Sequence, residues 1–440
     1  MLFPPSPIQE RFSKYCLLLA CFFAFSFNHI VLTKYHFVLG QASFYFIALA
    51  LVTSNFRIAR KSILFITTFL FYCLASPAFF CMTGEGLCTT RPYTAAISIL
   101  FIFFLVEYVA FTVQTNEGFE VMMANYLLYG AWALVILALP DIWTIWRGGV
   151  LSSSPYGLDF LSAFGLSPYS INRLRGFTQE PSYLGMVISV LYPICFMRLN
   201  ERLTPSRLLL VCGLWVCLIY SMSRTGLISC FLISVLILLA WPKRLGVGLV
   251  MAGVGAILWN QFAQLHGGGF MSMNWVPSLN LAGLDGSSFV RMSHIIAAFK
   301  TWFANPLFGV GLGQSGYVLD LFYPAMYTSA SPEYSMWQPK GAFGGIPSFS
   351  FLPKFLAELG FLGLLICLIW LVGNLRKIYR AAQKSLEFRG LVFALLGFLI
   401  ASFGVDGYLY LTIWVIWGLV LGVIRRQSMV GAGKNNHEPK

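Results

Sequence analysis

Charge is scarce in this chain. Only 10% of its 440 residues are Asp, Glu, Lys or Arg, while 58% are hydrophobic and the mean hydropathy is +0.75. No water-soluble globule hides that much apolar surface, so a soluble enzyme is excluded and the bilayer is the solvent. Metal-ligand patterns are also missing. There is no Asp-x-Asp, no His-x-x-x-His and no cysteine pair at ligand spacing, so neither a metal nor any other cofactor is expected. No Gly-rich phosphate loop fits. GVGLGQ (309–314) follows Asn-Pro rather than a strand, and is expected to be a turn at the membrane edge. A cleavable signal is not expected either, because the first apolar run, Tyr15 to Thr33, is too long and lacks a small-residue cleavage site. Internal repeats are not visible.

Acidic residues are outnumbered 16 to 29, for a net charge of +13. The basic residues punctuate apolar runs instead of forming one patch, which argues against a nucleic-acid partner. Of ten cysteines, Cys16, Cys21, Cys73, Cys195, Cys212, Cys217, Cys230 and Cys367 lie inside apolar runs and are expected to pack. Cys81 and Cys88 flank a short GEG loop, where a disulfide would form if that loop faces an oxidising compartment.

What is present is a series of apolar runs long enough to span. About twelve are expected, near 15–33, 36–53, 62–82, 91–113, 121–140, 181–197, 206–222, 225–241, 245–260, 355–375, 388–404 and 407–424. The chain is thus expected to be one all-α polytopic membrane domain, 1–440. With both termini cytoplasmic, 19 of the 29 Lys and Arg fall on the cytoplasmic side. RKIYRAAQKSLEFR (376–389) is the strongest single anchor.

That orientation puts two long loops, 141–180 and 261–354, on the outer face, and loops of such length usually carry function. The second holds a surface helix expected near 287–304. Phe289, Met292, Ile296, Phe299 and Phe303 would form its apolar face. Arg291 and His294, three apart, would share the polar face. Asp285, Ser287 or Ser288 is placed to cap it, and Asn305-Pro306 to stop it.

Few charges remain on the outer side. Arg147, Lys300, Lys340 and Lys354 read as headgroup anchors. Arg224, in SMSRTG between two apolar runs with almost no loop, is the sharpest case, because arginine at membrane depth costs several kcal/mol and usually faces a cavity or partner. Arg175, Arg224 and Arg291 recur at one depth on one face, and Arg173 stands beside the first. Such a set suits a membrane-borne phosphate, since guanidinium offers a rigid donor fork and keeps its charge in low dielectric. Glu180 is either a partner orienting Arg175 or a general base, and Glu-Pro at 180–181 marks the start of a span.

Four stretches carry a resemblance. RLRGFTQEPSYLG (173–185), SMSRTGLI (221–228), the run from Arg291 through Trp302 to NPLFGVGLGQ (305–314), and FLPKFLAELGFLGLL (351–365) resemble, in order, four blocks of the O-antigen polymerase and O-antigen ligase superfamily of bacterial surface-polysaccharide enzymes. The resemblance covers roughly 170–375, and the first five spans carry no matching motif. It implies a metal-independent membrane glycosyltransferase of the C type, acting at the outer face of the bacterial inner membrane. The implied donor is a sugar chain on a polyprenyl diphosphate. It places Arg175, Arg224 and Arg291 on functional arginine positions, with Arg173 adjacent. One departure stands out: ligases typically carry a histidine about nine residues before the glutamate of the last block, here Glu358, and this chain has Phe349 and Ser350 there. Its absence favours a polymerase over a ligase, with His294 the one substitute from elsewhere.

The expected chemistry is direct displacement. An acceptor hydroxyl attacks the anomeric carbon, polyprenyl diphosphate leaves, and the arginines stabilise the charge that builds on the departing oxygen. Glu180 is the candidate base, with Asp285 in reserve. Trp275, Tyr327, Tyr334 and Trp337 are candidates for sugar stacking, and the flippase and chain-length regulator of the same pathway are candidate partners. Two alternatives stay open: a ligase moving finished polymer to an acceptor such as lipid A core, and a transporter or flippase of lipid-linked sugars. The transporter would need midplane charges and broken helices.

Overall fold

The structure is a computed structural model that describes residues 7–26, 42–54, 58, 60–82, 91–147, 174, 181–240, 286–330, 350–403 and 411–435. The chain is an all-α membrane protein. In order the helices are α1 (Pro7–Ser26), α2 (Ala42–Thr53), α3 (Arg60–Met82), α4 (Arg91–Thr115), α5 (Phe119–Trp146), α6 (Pro181–Glu201), α7 (Pro205–Ser221), α8 (Arg224–Ala240) and α9 (Gly286–Ala304). Then come α10 (Ser315–Val318), a 3-10 turn (Leu319–Phe322), α11 (Ala325–Ala330), α12 (Phe351–Lys384), α13 (Leu386–Ala401) and α14 (Leu411–Asn435). Apolar runs become helices because only a helix satisfies its own backbone in lipid. Among the described residues, α4, α5, α6 and α12 each contain a stretch long and apolar enough to cross a bilayer, with α7 and α8 apolar but shorter. Eleven of the twelve expected runs overlap described helices, in part where the run extends beyond the described residues; the run at 245–260 lies outside the described residues, as do Cys88 and the GEG loop.

Local signals set the boundaries. Thr204 caps α7 by accepting from the Arg207 N–H at 3.4 Å, with Pro205 in the first turn. Ser385 caps α13 through the Phe388 N–H at 3.3 Å. Arg147 ends α5 and lies 4.4 Å over the Trp143 ring, as an interface anchor should. α5 continues through Trp146, taking up the first six residues of the expected first long loop.

The most extensive helix pairs are α6 with α13 and α4 with α14. Both rely on small residues that let backbones approach. Gly418 and Gly422 of α14 face Val109 and Val113 of α4 so closely that a Cβ at either would lie 2.6–2.7 Å from a valine Cβ. The cysteines Cys16, Cys195, Cys217 and Cys230 are buried in the main apolar core, and Cys73 in a smaller cluster with Leu312 and Leu359.

The two ends of the bundle differ chemically. At one end Arg425 donates to both Glu107 oxygens at 2.7 and 2.9 Å and to the Ser62 hydroxyl at 2.9 Å, tying α14, α4 and α3. Arg426 grips Glu120 in the same way, and Arg198 pairs with Glu387 at 3.3 Å. Ser182, at the other end of α6, is sixteen residues from Arg198, roughly 24 Å along the helix. The described residues of the first three motif blocks meet at that far end.

Candidate functional site

α6 begins at Pro181, so its first turn is the tail of the QEPSYLG stretch. Ser182 and Gly185, three apart, lie on one face of that turn. Each meets a different motif. Gly185 touches the SMSRTG stretch: a Cβ on Gly226 would sit 2.7 Å from the Gly185 Cα, and one on Gly185 would sit 2.1 Å from the Ser223 hydroxyl. Only glycine on both sides allows that approach. Arg224, half-buried, is the first residue of α8, two residues before Gly226. Ser182 receives a hydrogen bond from the Arg291 guanidinium of α9. One turn of α6 therefore joins the element bearing Arg224 to the side chain of Arg291. Leu174 is fully buried and its N–H donates to the Tyr220 carbonyl at 2.8 Å, beside the same motif. Arg173 and Arg175, which flank Leu174 in sequence, and Glu180 and Asp285 lie outside the described residues.

α9 spans the range expected for the surface helix, but its faces are exchanged. Val290, Ser293, His294, Ala297, Ala298 and Thr301 are buried. The predicted apolar stripe is only half-buried at Phe289, Met292, Ile296 and Phe299, and Phe303 is exposed. In a membrane the large apolar side chains have lipid as an alternative neighbour, so the small and polar face takes the protein contact. Soluble-helix reasoning put the core on the wrong side.

His294 is accordingly no surface residue. It is 0% exposed, with Nε2 at 3.0 Å from the Tyr327 hydroxyl and Nδ1 at 3.1 Å from the Tyr323 hydroxyl. Burial pulls its pKa down to about 3, so the ring is neutral, with one nitrogen donating and the other accepting. The same cage removes Tyr327 from the sugar-stacking candidates, because it is fully buried. Trp275, Tyr334 and Trp337 lie outside the described residues.

The third and fourth blocks interlock through a broken helix. At Gly360, α12 adopts φ 60° and ψ −167°, which breaks its i to i−4 ladder. The groups set free are taken up by the NPLFGVG segment. The Phe361 and Leu362 N–H groups donate to the Pro306 and Leu307 carbonyls at 2.8 and 3.1 Å, while Ala357 and Glu358 carbonyls accept from Val310 and Gly311 at 2.9 Å each. Tyr72 of α3 completes the repair: its hydroxyl donates to the Leu359 carbonyl and lies 3.2 Å from the Phe308 carbonyl of the NPLFGVG segment. Gly309, at φ 67°, lies against this join, where a Cβ would meet the Glu358 backbone at 2.5 Å. The Glu358 carboxylate, 3% exposed, accepts from the Ser315 hydroxyl. GVGLGQ is thus a turn, as expected, and its second and third amides, those of Val310 and Gly311, serve α12.

The sequence reading missed Tyr72, Ser182, Ser315 and Tyr323. Ser182 stood inside a quoted motif. Tyr72 had no local signal, since a tyrosine in an apolar run looks like any interface aromatic.

The segment that joins three of the four blocks is also the one with a known counterpart. Residues 208–368 match the protein family described as O-antigen ligase. The matched segment is similar to an O-antigen ligase domain over somewhat more than a third of the chain. It supports the O-antigen polymerase and ligase superfamily, whose members are membrane glycosyltransferase-like enzymes of polysaccharide assembly that use lipid-linked oligosaccharides. The match contains Arg224, Arg291 and Glu358 and leaves out the RLRGFTQEPSYLG block. No curated protein matches the chain.

Proposed function

We propose that the protein polymerises lipid-linked oligosaccharide repeat units into surface polysaccharide, at the outer face of the bacterial inner membrane. The observation that carries this reading is the meeting of the motif blocks on one turn of α6, with Arg291 bonded to Ser182 and the Arg224 motif packed on Gly185. The donor is a repeat unit or growing chain on a polyprenyl diphosphate, and the acceptor is a hydroxyl on a second lipid-linked unit. The acceptor oxygen forms a bond to the anomeric carbon as the bond from that carbon to the diphosphate oxygen breaks. The hydroxyl proton passes to a base, for which Glu180 is the candidate. The anomeric centre inverts, without a metal. Arg175, Arg224 and Arg291 stabilise the diphosphate as its charge grows, in a site where water is scarce and each donor counts for more. Both termini lie in the cytoplasm, the end to which the ion pairs of Arg425, Arg426 and Arg198 belong. The flippase that delivers repeat units and the regulator of chain length are the expected partners.

The ligase reading is the second. The description of the matched family favours it. Against it stand Phe349 and Ser350 where ligases carry histidine, and the enclosure of His294 between two tyrosines. The transporter reading drew on broken helices. The break in α12 is filled by the chain's own carbonyls, amides and Tyr72, so it supports a joint within the protein and not a substrate gap.

The test is polysaccharide profiling in a deletion strain complemented with Arg175→Ala, Arg224→Ala or Arg291→Ala. Each removed donor should lower polymer output by about 10²–10³. A polymerase defect leaves single repeat units on the final acceptor, and a ligase defect leaves long polymer on the carrier lipid. Normal ladders from all three variants at normal expression would end the diphosphate-clamp reading.

A further inference from the structure

His294 and Arg291 sit one turn apart on α9. Arg291 reaches α6 through Ser182, and it can do so only at one rotation and one depth of α9. Apolar packing contributes through Val290 and the half-buried Phe289, which join the cluster around Tyr323 and Tyr327, while the rest of the inner face of α9, Ser293, Ala297, Ala298 and Thr301, is small. The directional contacts come from His294. Its two ring nitrogens bond Tyr323 and Tyr327 at 3.1 and 3.0 Å, and both tyrosine rings stand edge-on to the imidazole, with centroids 5.0 and 5.4 Å away. Those tyrosines belong to the segment after the 3-10 turn, and they pack with Leu319 against Ala357 of α12. Ala357 is in turn fixed by the broken-helix joint. The chain of contacts runs from α12 through two tyrosines and the histidine to the helix that carries Arg291.

We infer that His294 is a positioning residue for Arg291, its tyrosine cage locking the rotation of α9 so that the guanidinium is held at the first turn of α6. The inference rests on the diphosphate-clamp reading and adds the element that sets the clamp. A displacement of about 1 Å at a reacting centre can cost about 10²-fold, so a helix free to roll is enough to lose the site. His294 touches no substrate in this scheme. A neutral imidazole suits the task, because it offers one donor and one acceptor at fixed angles. Phenylalanine fills the same space and offers neither, so both bonds to the tyrosine hydroxyls are lost.

The experiment measures binding of undecaprenyl diphosphate to the full-length protein in nanodiscs. The variants are Arg291→Ala, His294→Phe, His294→Gln, Tyr323→Phe, Tyr327→Phe and the double variant Arg291→Ala with His294→Phe. Thermal melting and size-exclusion profiles report folding. His294→Phe should weaken binding about 10-fold or more. His294→Gln, which keeps a donor and an acceptor, should recover most of it. The double variant should bind no worse than Arg291→Ala alone, since a residue acting through Arg291 has nothing left to position. Should His294→Phe fail to fold, Tyr327→Phe carries the same comparison while removing a single bond. Wild-type binding by a folded His294→Phe, or a further tenfold loss in the double variant, overturns the positioning role while a weak Arg291→Ala leaves the clamp standing. Wild-type binding by Arg291→Ala overturns the clamp and the positioning role with it.

Discussion

The contact between Gly185 and Gly226 makes the most exacting prediction. A methyl at position 226 would lie 2.7 Å from the Gly185 Cα, 2.8 Å from the Leu218 Cδ1 and 3.0 Å from the Gly185 carbonyl carbon. Ordinary contact begins at about 3.4 Å, so α8 must move by at least about 0.7 Å from α6. The leucine can turn away, but the α6 backbone cannot. Overpacking of this kind costs about 1–3 kcal/mol. The larger effect falls on function, because the shift separates the Arg224 motif from the turn to which Arg291 is bonded. A displacement near 1 Å is expected to lower polymer formation by roughly 10- to 100-fold. The assay compares Gly226→Ala with Gly373→Ala in a deletion strain, reading polysaccharide length and protein level together. Gly373 of α12 has open space around it, and alanine there should be neutral or slightly stabilising, by about 0.5–1 kcal/mol. Full-length polymer from Gly226→Ala at normal expression would refute the view that this glycine contact sets the site.

Three more predictions concern stability. Tyr72→Phe removes the hydroxyl that bonds the Leu359 carbonyl at the break in α12 and lies beside the Phe308 carbonyl; a loss of about 1–3 kcal/mol is expected, read as a lower melting temperature in detergent. Arg425→Met strands the Glu107 carboxylate, 2% exposed, at a cost of about 3–5 kcal/mol, and adding Glu107→Gln should restore much of the melting temperature. His294 is neutral with a folded pKa of about 3, against 6.5 ordinarily. The unfolded chain therefore binds a proton that the folded chain refuses. Stability is whole above about pH 6.5 and falls as pH drops toward 3, by up to about 1.4 kcal/mol per unit. Melting at pH 7.5 and 5 should differ more for the wild type than for His294→Gln.

The helices were legible because lipid leaves the backbone few options, and an apolar run of sufficient length has to become one. The motif positions were legible too, since Arg224, Arg291 and Glu358 are marked by charge in a chain that has little. The rotation of α9 was not. Its stripe of Phe289, Met292, Ile296, Phe299 and Phe303 predicts a buried face in water, and the same stripe has no such obligation beside lipid. His294 consequently reads as polar surface in the sequence and lies enclosed in the structure.

The sequence by itself determined the all-α class, the apolar runs that become helices and the turn at GVGLGQ, because each follows from hydropathy and glycine acting within one segment. Tertiary structure alone decided that Ser182 faces Arg291, that Gly185 and Gly226 touch, and that Tyr72 mends a helix nearly three hundred residues away. Those contacts arise from small residues that permit close approach and from backbone groups that must be satisfied wherever a partner can be found. Neither demand names its partner in the local sequence.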